Sequence, residues 1–196
     1  MKRVATRAAL IGAATVLFAA AIAGPVVARS GHNSTSVHLF SDGSVVSGAS
    51  SSLVRNGAGA RFGVSTSGLE PGHAVTVWWV IFNEPENCLH GHDGVACGAG
   101  DLPPFGGDDS AVTSVLYAAG NVTGGSGRVT LSGHLSVGDT DGALWGPGLI
   151  DPWGAEIHLV VRDHGEKAPG QTDDAIHDFG TCTPECTAVQ FAIHTP

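Results

Sequence analysis

Histidines, carboxylates and cysteines carry whatever chemistry this chain can do. His90-Gly91-His92-Asp93 sets two imidazoles two residues apart with a carboxylate beside them. At that spacing both rings can reach one copper or zinc ion, and the aspartate can add a hard ligand. The plainer alternative is a polar loop with two solvated histidines. A second group is Glu156, His158, Arg162 and His164. Alternate residues of a strand stand about 6.6–6.8 Å apart on one face. Glu156 can therefore orient His158, or the two can share a ligand, with Arg162 adding a cation to the same face. His158 and His164 can meet at one ion only if the chain turns at Asp163-His164-Gly165. Against this stands a solvated sheet face laced with cross-strand pairs.

The four cysteines are Cys88, Cys97, Cys182 and Cys186. Four cysteines allow three pairings. The two local ones, Cys88–Cys97 and Cys182–Cys186, are expected, because each ties down an irregular loop. Metal–thiolate binding is the sharper alternative, but no C-x-x-C pair is present. Nucleophilic catalysis lacks support: there is no G-x-S-x-G elbow, and paired cysteines are not nucleophiles. The loop aspartates lack the spacing of a calcium loop. The glycines at 124–127 read as a turn rather than a nucleotide loop. Paired glycosidase-type carboxylates remain open, since they are set in space and not in sequence.

These groups need elements to hold them, and the central one is His73–Phe82, HAVTVWWVIF. Val75, Val77, Trp79 and Ile81 point one way from a strand, and Thr76, Trp78, Val80 and Phe82 the other. Both faces are apolar, so the strand is expected to be covered on both sides. Ala155–Arg162 alternates Ala155, Ile157, Leu159 and Val161 against the polar set above. The last strand, Thr187–His194, is expected to bury Val189, Phe191 and Ile193 and to turn Gln190 and His194 outward. Asn56-Gly57 marks a hairpin turn, and Gly120–Leu135 reads as another hairpin. Short strands, glycine-rich joints and no amphipathic helix predict an all-β antiparallel sandwich, Greek-key in connection, with a closed β-barrel as the alternative. Three long loops, 83–110, 136–153 and 165–186, join the strands. Loops of that length in a compact domain are usually functional or stapled.

The chain has 196 residues and a formal charge of −9. Lys2, Arg3 and Arg7 precede an apolar stretch from Ala8 to Val27, and Val26-Val27-Ala28 suits a signal peptidase. Residues 1–28 are thus expected to be a cleaved signal peptide, with an uncleaved anchor as the alternative, since roughly 20 apolar residues can cross a bilayer. Cleavage removes three basic and no acidic residues, so the charge moves from −9 to −12. Residues 29–35 are expected to be a flexible N-terminus, and 36–196 a single β-sandwich domain. So acidic a surface disfavours nucleic acid and anionic lipid. Four cysteines in the exported part fit an oxidising compartment, extracellular or periplasmic.

Gly68-Leu69-Glu70-Pro71-Gly72-His73 running into VTVWWVIFN, then GAEIHLVVR at 154–162 with His164-Gly165, then Cys186 leading to VQFAIH, resemble a family of secreted bacterial proteins with no assigned activity. The resemblance spans roughly residues 50–195. It implies an exported β domain and carries over no catalytic residue. The copper–zinc superoxide dismutases are similar in class, but their dense histidine run is absent. A blue-copper site with methionine is excluded, since Met1 is the one methionine and leaves with the signal.

The leading expectation is therefore a non-enzymatic exported binding or surface-interaction module that presents its long loops. No catalytic residue is assigned. The second is an extracytoplasmic copper- or zinc-binding protein using His90, His92, His158 or His164; Glu156 and Arg162 are separate candidate ligand-binding groups. The third is a hydrolase using Glu156 and His158. No nucleic-acid partner is expected, nor a membrane anchor after cleavage.

Overall fold

The structure, a computed structural model, describes residues 30–91, 94–167 and 172–196. The expected signal segment, His92 and Asp93 lie outside them. Among the described residues, ten strands form two antiparallel sheets. One sheet orders β1 (Ser30–Thr35), β3 (Ser50–Asn56), β4 (Gly59–Thr66) and β7 (Val129–Ser136). The other orders β2 (His38–Leu39), β10 (Thr187–His194), β9 (Glu156–Glu166), β5 (His73–Phe82), β6 (Thr113–Val122) and β8 (Ala143–Trp145). Both sheets keep open edges, so the sandwich is not closed into a barrel.

The central position of β5 follows from its two apolar faces. Val75, Val77, Trp79 and Ile81 pack between the sheets against Leu53, Phe62, Val64 and Leu131. Trp79 meets Phe62 edge-on at 4.9 Å between centroids, a geometry aromatic quadrupoles favour. Burying each such Val, Leu or Ile contributes about 1.5–3 kcal/mol. The opposite face, Trp78, Val80 and Phe82, forms a second apolar cluster with Cys97, Leu102, Ala111 and Val115. Much of that cover comes from the long loop after β5 rather than from a third sheet.

Three expectations are corrected. First, residues 30–35 form β1 instead of a flexible end: they pair with β3 from Ser30↔Asn56 to Thr35↔Ser51. Second, β6 and β7 are joined by a tight turn, with Gly124 N–H bonded to Arg128 O and Gly127 N–H to Gly124 O, yet they enter different sheets. The turn carries the chain across the sandwich and does not close a hairpin ladder.

Third, β10 is inverted relative to its apolar pattern. Gln190, Ala192 and His194 are buried between the sheets, while Phe191 and Ile193 face outward, half-buried. The polar groups are tolerated inside because each has partners. Thr66 Oγ1 donates to Gln190 Oε1 at 2.6 Å, and Gln190 Nε2 donates to Ser67 O at 2.8 Å. His194 Nδ1 lies 2.8 Å from Asn33 Oδ1, and its Nε2 lies 2.8 Å from Ser51 Oγ. A buried polar group costs little once hydrogen-bonded. The inversion places Phe191 and Ile193 beside Val160 and His158 of β9 on the outer face.

Candidate functional site

On the outer face of the six-stranded sheet lies a trough of about 600 Å³. Its floor is Trp78, Val80 and Phe82 of β5 with Val160 of β9 and Val115 of β6. Each of the three long loops supplies part of the wall: Leu102 and Phe105 from the first, Trp145 from the second, Phe179 from the third. Phe40, Phe105 and Phe179 stand at the rim with 46%, 68% and 37% of their surface exposed. Large apolar side chains gathered around one concavity, rather than scattered, make it the candidate binding surface.

The loop that forms one wall is held by two carboxylates. Glu156 is fully buried; its Oε2 accepts the Ala96 N–H and its Oε1 the Cys97 N–H, both at 3.0 Å. Asp101 accepts the N–H groups of Leu89 at 2.7 Å and Gly98 at 2.8 Å. The Cys88–Cys97 disulfide closes the same loop. Gly91 and Gly98 are needed there, because a Cβ on either would collide with backbone carbonyls, of Ala96 and of His90 respectively. Asp101 and its role are not legible from sequence, where it is one loop aspartate among several.

Of the residues proposed from sequence, Glu156, His158 and Arg162 share the outer face of β9. His158 Nε2 lies 2.9 Å from Glu156 Oε1. Burial alone would raise the Glu156 pKa. The hydrogen bond and charge of His158, with the two loop N–H groups, outweigh that and hold it below the usual carboxylate range. With its oxygens so engaged, Glu156 acts as a loop anchor that also orients His158. Among the described residues, His158 and Arg162 are the ionisable groups lining the trough, and no carboxylate lines it. The Arg162 guanidinium stands 3.9 Å over the Phe179 ring, and its Nε–H donates to Phe179 O at 3.0 Å. That stacking fixes the cation at the trough edge.

His164 lies on the same outer face but is buried elsewhere, with Nε2 2.7 Å from Thr76 Oγ1 and Nδ1 2.9 Å from Thr181 O. Burial lowers its pKa from the ordinary histidine value. His90 is exposed, and its ring packs along Gly100. Among the described residues, the group of three or more metal donors is His164, Cys182 and Cys186, so His90, His158 and His164 do not converge there. Both expected disulfides are present, Cys88–Cys97 and Cys182–Cys186, as suits an oxidising compartment. Comparison of the chain with models of protein families, with curated proteins and with solved structures finds no match.

Proposed function

We propose that this protein is an exported binding module whose trough receives an amphipathic small molecule, an apolar body carrying an anionic head group. One observation carries the reading. The three long loops, far apart in sequence, wall one apolar trough whose ionisable lining residues, among those described, are the cation Arg162 and the potential cation His158.

The volume of about 600 Å³ falls within the roughly 300–1,000 Å³ of small-molecule pockets. An apolar chain laid on Trp78, Val80 and Val160 gains about 0.8 kcal/mol per buried methylene. A carboxylate or sulfonate at Arg162 gains a charge-assisted hydrogen bond, which adds roughly 1.5–3 kcal/mol. The acidic surface of the protein opposes an approaching anion. At physiological salt, however, the Debye length is about 8 Å, so distant carboxylates are screened while a half-buried guanidinium acts at contact range. Export rests on the basic and apolar leader together with the two disulfides, and membership of the secreted family described above is part of this proposal.

Calorimetric titration with dodecanoate tests the reading. Saturable one-to-one binding is expected, abolished in Val160→Trp, where an indole fills the trough floor. Unchanged binding in that variant would place the ligand elsewhere and remove the proposal.

A further inference from the structure

A second cluster adjoins the trough, in contact with Trp78 through Thr76 and with Phe179. His164, Cys182 and Cys186 offer donor atoms that all lie within 4.8 Å of one another. His164 Nδ1 is 3.4 Å from Cys186 Sγ. Bonds of about 2.3 Å to sulfur and 2.0–2.1 Å to nitrogen, at a tetrahedral angle, require an N···S edge of about 3.5 Å. We propose that reduction of the Cys182–Cys186 disulfide opens a Cys₂His site for a thiophilic d¹⁰ cation, Zn²⁺ or Cu⁺.

A dithiol reductant gives two electrons and two protons to the disulfide, yielding two cysteine thiols and its own disulfide. The cation then displaces both thiol protons and is held by two thiolates and one neutral imidazole. The imidazole must present Nδ1. In the oxidised structure Trp78 Nε1–H donates to Thr76 Oγ1 at 2.7 Å. The Thr76 hydroxyl is then free to donate to His164 Nε2, which leaves the ring proton on Nδ1, facing the Thr181 carbonyl. Binding moves that proton to Nε2, where Thr76 Oγ1 accepts it. A metal-bound histidine whose other nitrogen is hydrogen-bonded is oriented for its ligand.

Access and loop geometry fit. Both cysteines are half-buried, open to a reductant, while His164 is buried and fixed. The sulfurs must part to about 3.8 Å for tetrahedral coordination, a movement confined to the loop they close, Cys182-Thr183-Pro184-Glu185-Cys186. The site is complete with solvent as its remaining ligand.

The test uses the exported chain, oxidised and anaerobically reduced, titrated with Zn²⁺ and with Cu⁺ against chromogenic chelators. The reduced chain is expected to bind one equivalent and the oxidised chain none. Cys182→Ser/Cys186→Ser, which keeps Cys88 and Cys97 available, is expected to lose the site, and His164→Ala to weaken it at least tenfold. Preference for one cation over the other identifies which d¹⁰ ion the site takes. X-ray absorption of the metal-loaded wild type needs no variant: two sulfur ligands and one imidazole are expected. Equal uptake by the oxidised chain, retained binding in the double-serine variant, or a shell without sulfur would overturn the proposal.

Discussion

His158 lies 2.9 Å from the carboxylate of Glu156, two residues back on β9, and that carboxylate also holds the loop walling the trough. Their pairing joins the binding face to the Cys88–Cys97 loop. Glu156→Gln would keep the shape but present an amide N–H₂ to N–H donors, leaving at least one of them unpaired. A buried unsatisfied donor costs about 1–3 kcal/mol. Chemical denaturation of the variant is expected to show a loss of that size, and dodecanoate binding to weaken with it. Full stability with weakened binding would instead make Glu156 a ligand contact.

Acid should destabilise the protein through His194. Burial foremost, with the nearby Arg55 charge second, pushes its pKa down to about 4. The unfolded chain titrates near 6.5. Its folded pKa is depressed, so the folded state binds the proton less readily. The stability this gives is present above pH 6.5 and lost as pH falls from about 6.5 to about 4. The gap of about 2.5 pH units corresponds to about 3 kcal/mol. The buried His164, also lowered, adds to the loss in the same direction. Urea midpoints measured across this range should fall, and fall less steeply in His194→Gln. An identical slope in that variant would assign the acid loss to other groups.

Gln190→Val tests the inverted strand. If Gln190 faced solvent, valine would be neutral. Buried between the sheets and bonded to Thr66 and Ser67, its loss strands the Thr66 hydroxyl and the Ser67 carbonyl. Destabilisation of about 2–4 kcal/mol is expected, read from thermal or urea unfolding.

Much of the frame could be read from sequence because it is written in local periodicity. The doubly apolar run at 73–82 places β5 in the middle, and period two puts Glu156, His158 and Arg162 on one face. The cysteine pairs follow from loop spacing. What could not be read depends on partners distant in the chain. The polar side chains of β10 are buried because Thr66, Ser51 and Asn33 meet them from 124, 143 and 161 residues away. Apolar alternation alone therefore assigned the wrong face. The convergence of three loops on one trough, and Asp101 as a loop anchor, have no local pattern either. The sequence pattern offers His164 as a metal ligand, but its donor neighbours are Cys182 and Cys186 rather than other histidines.

If an apolar chain lies along the trough, affinity should follow its length. Octanoate, decanoate and dodecanoate are expected to bind progressively tighter, by about tenfold for each two methylenes, since each buried methylene contributes about 0.8 kcal/mol. A flat series in calorimetry would mean that the head group alone is recognised.

The most direct measurement compares head groups on one twelve-carbon chain: dodecanoate, dodecanol and dodecyltrimethylammonium, titrated into wild type and Arg162→Gln. Dodecanoate is expected to bind the wild type tightest, and the substitution to weaken it by about 10- to 100-fold while leaving dodecanol unchanged. Equal binding of all three, or a preference for the cation, would contradict an anion-selective trough.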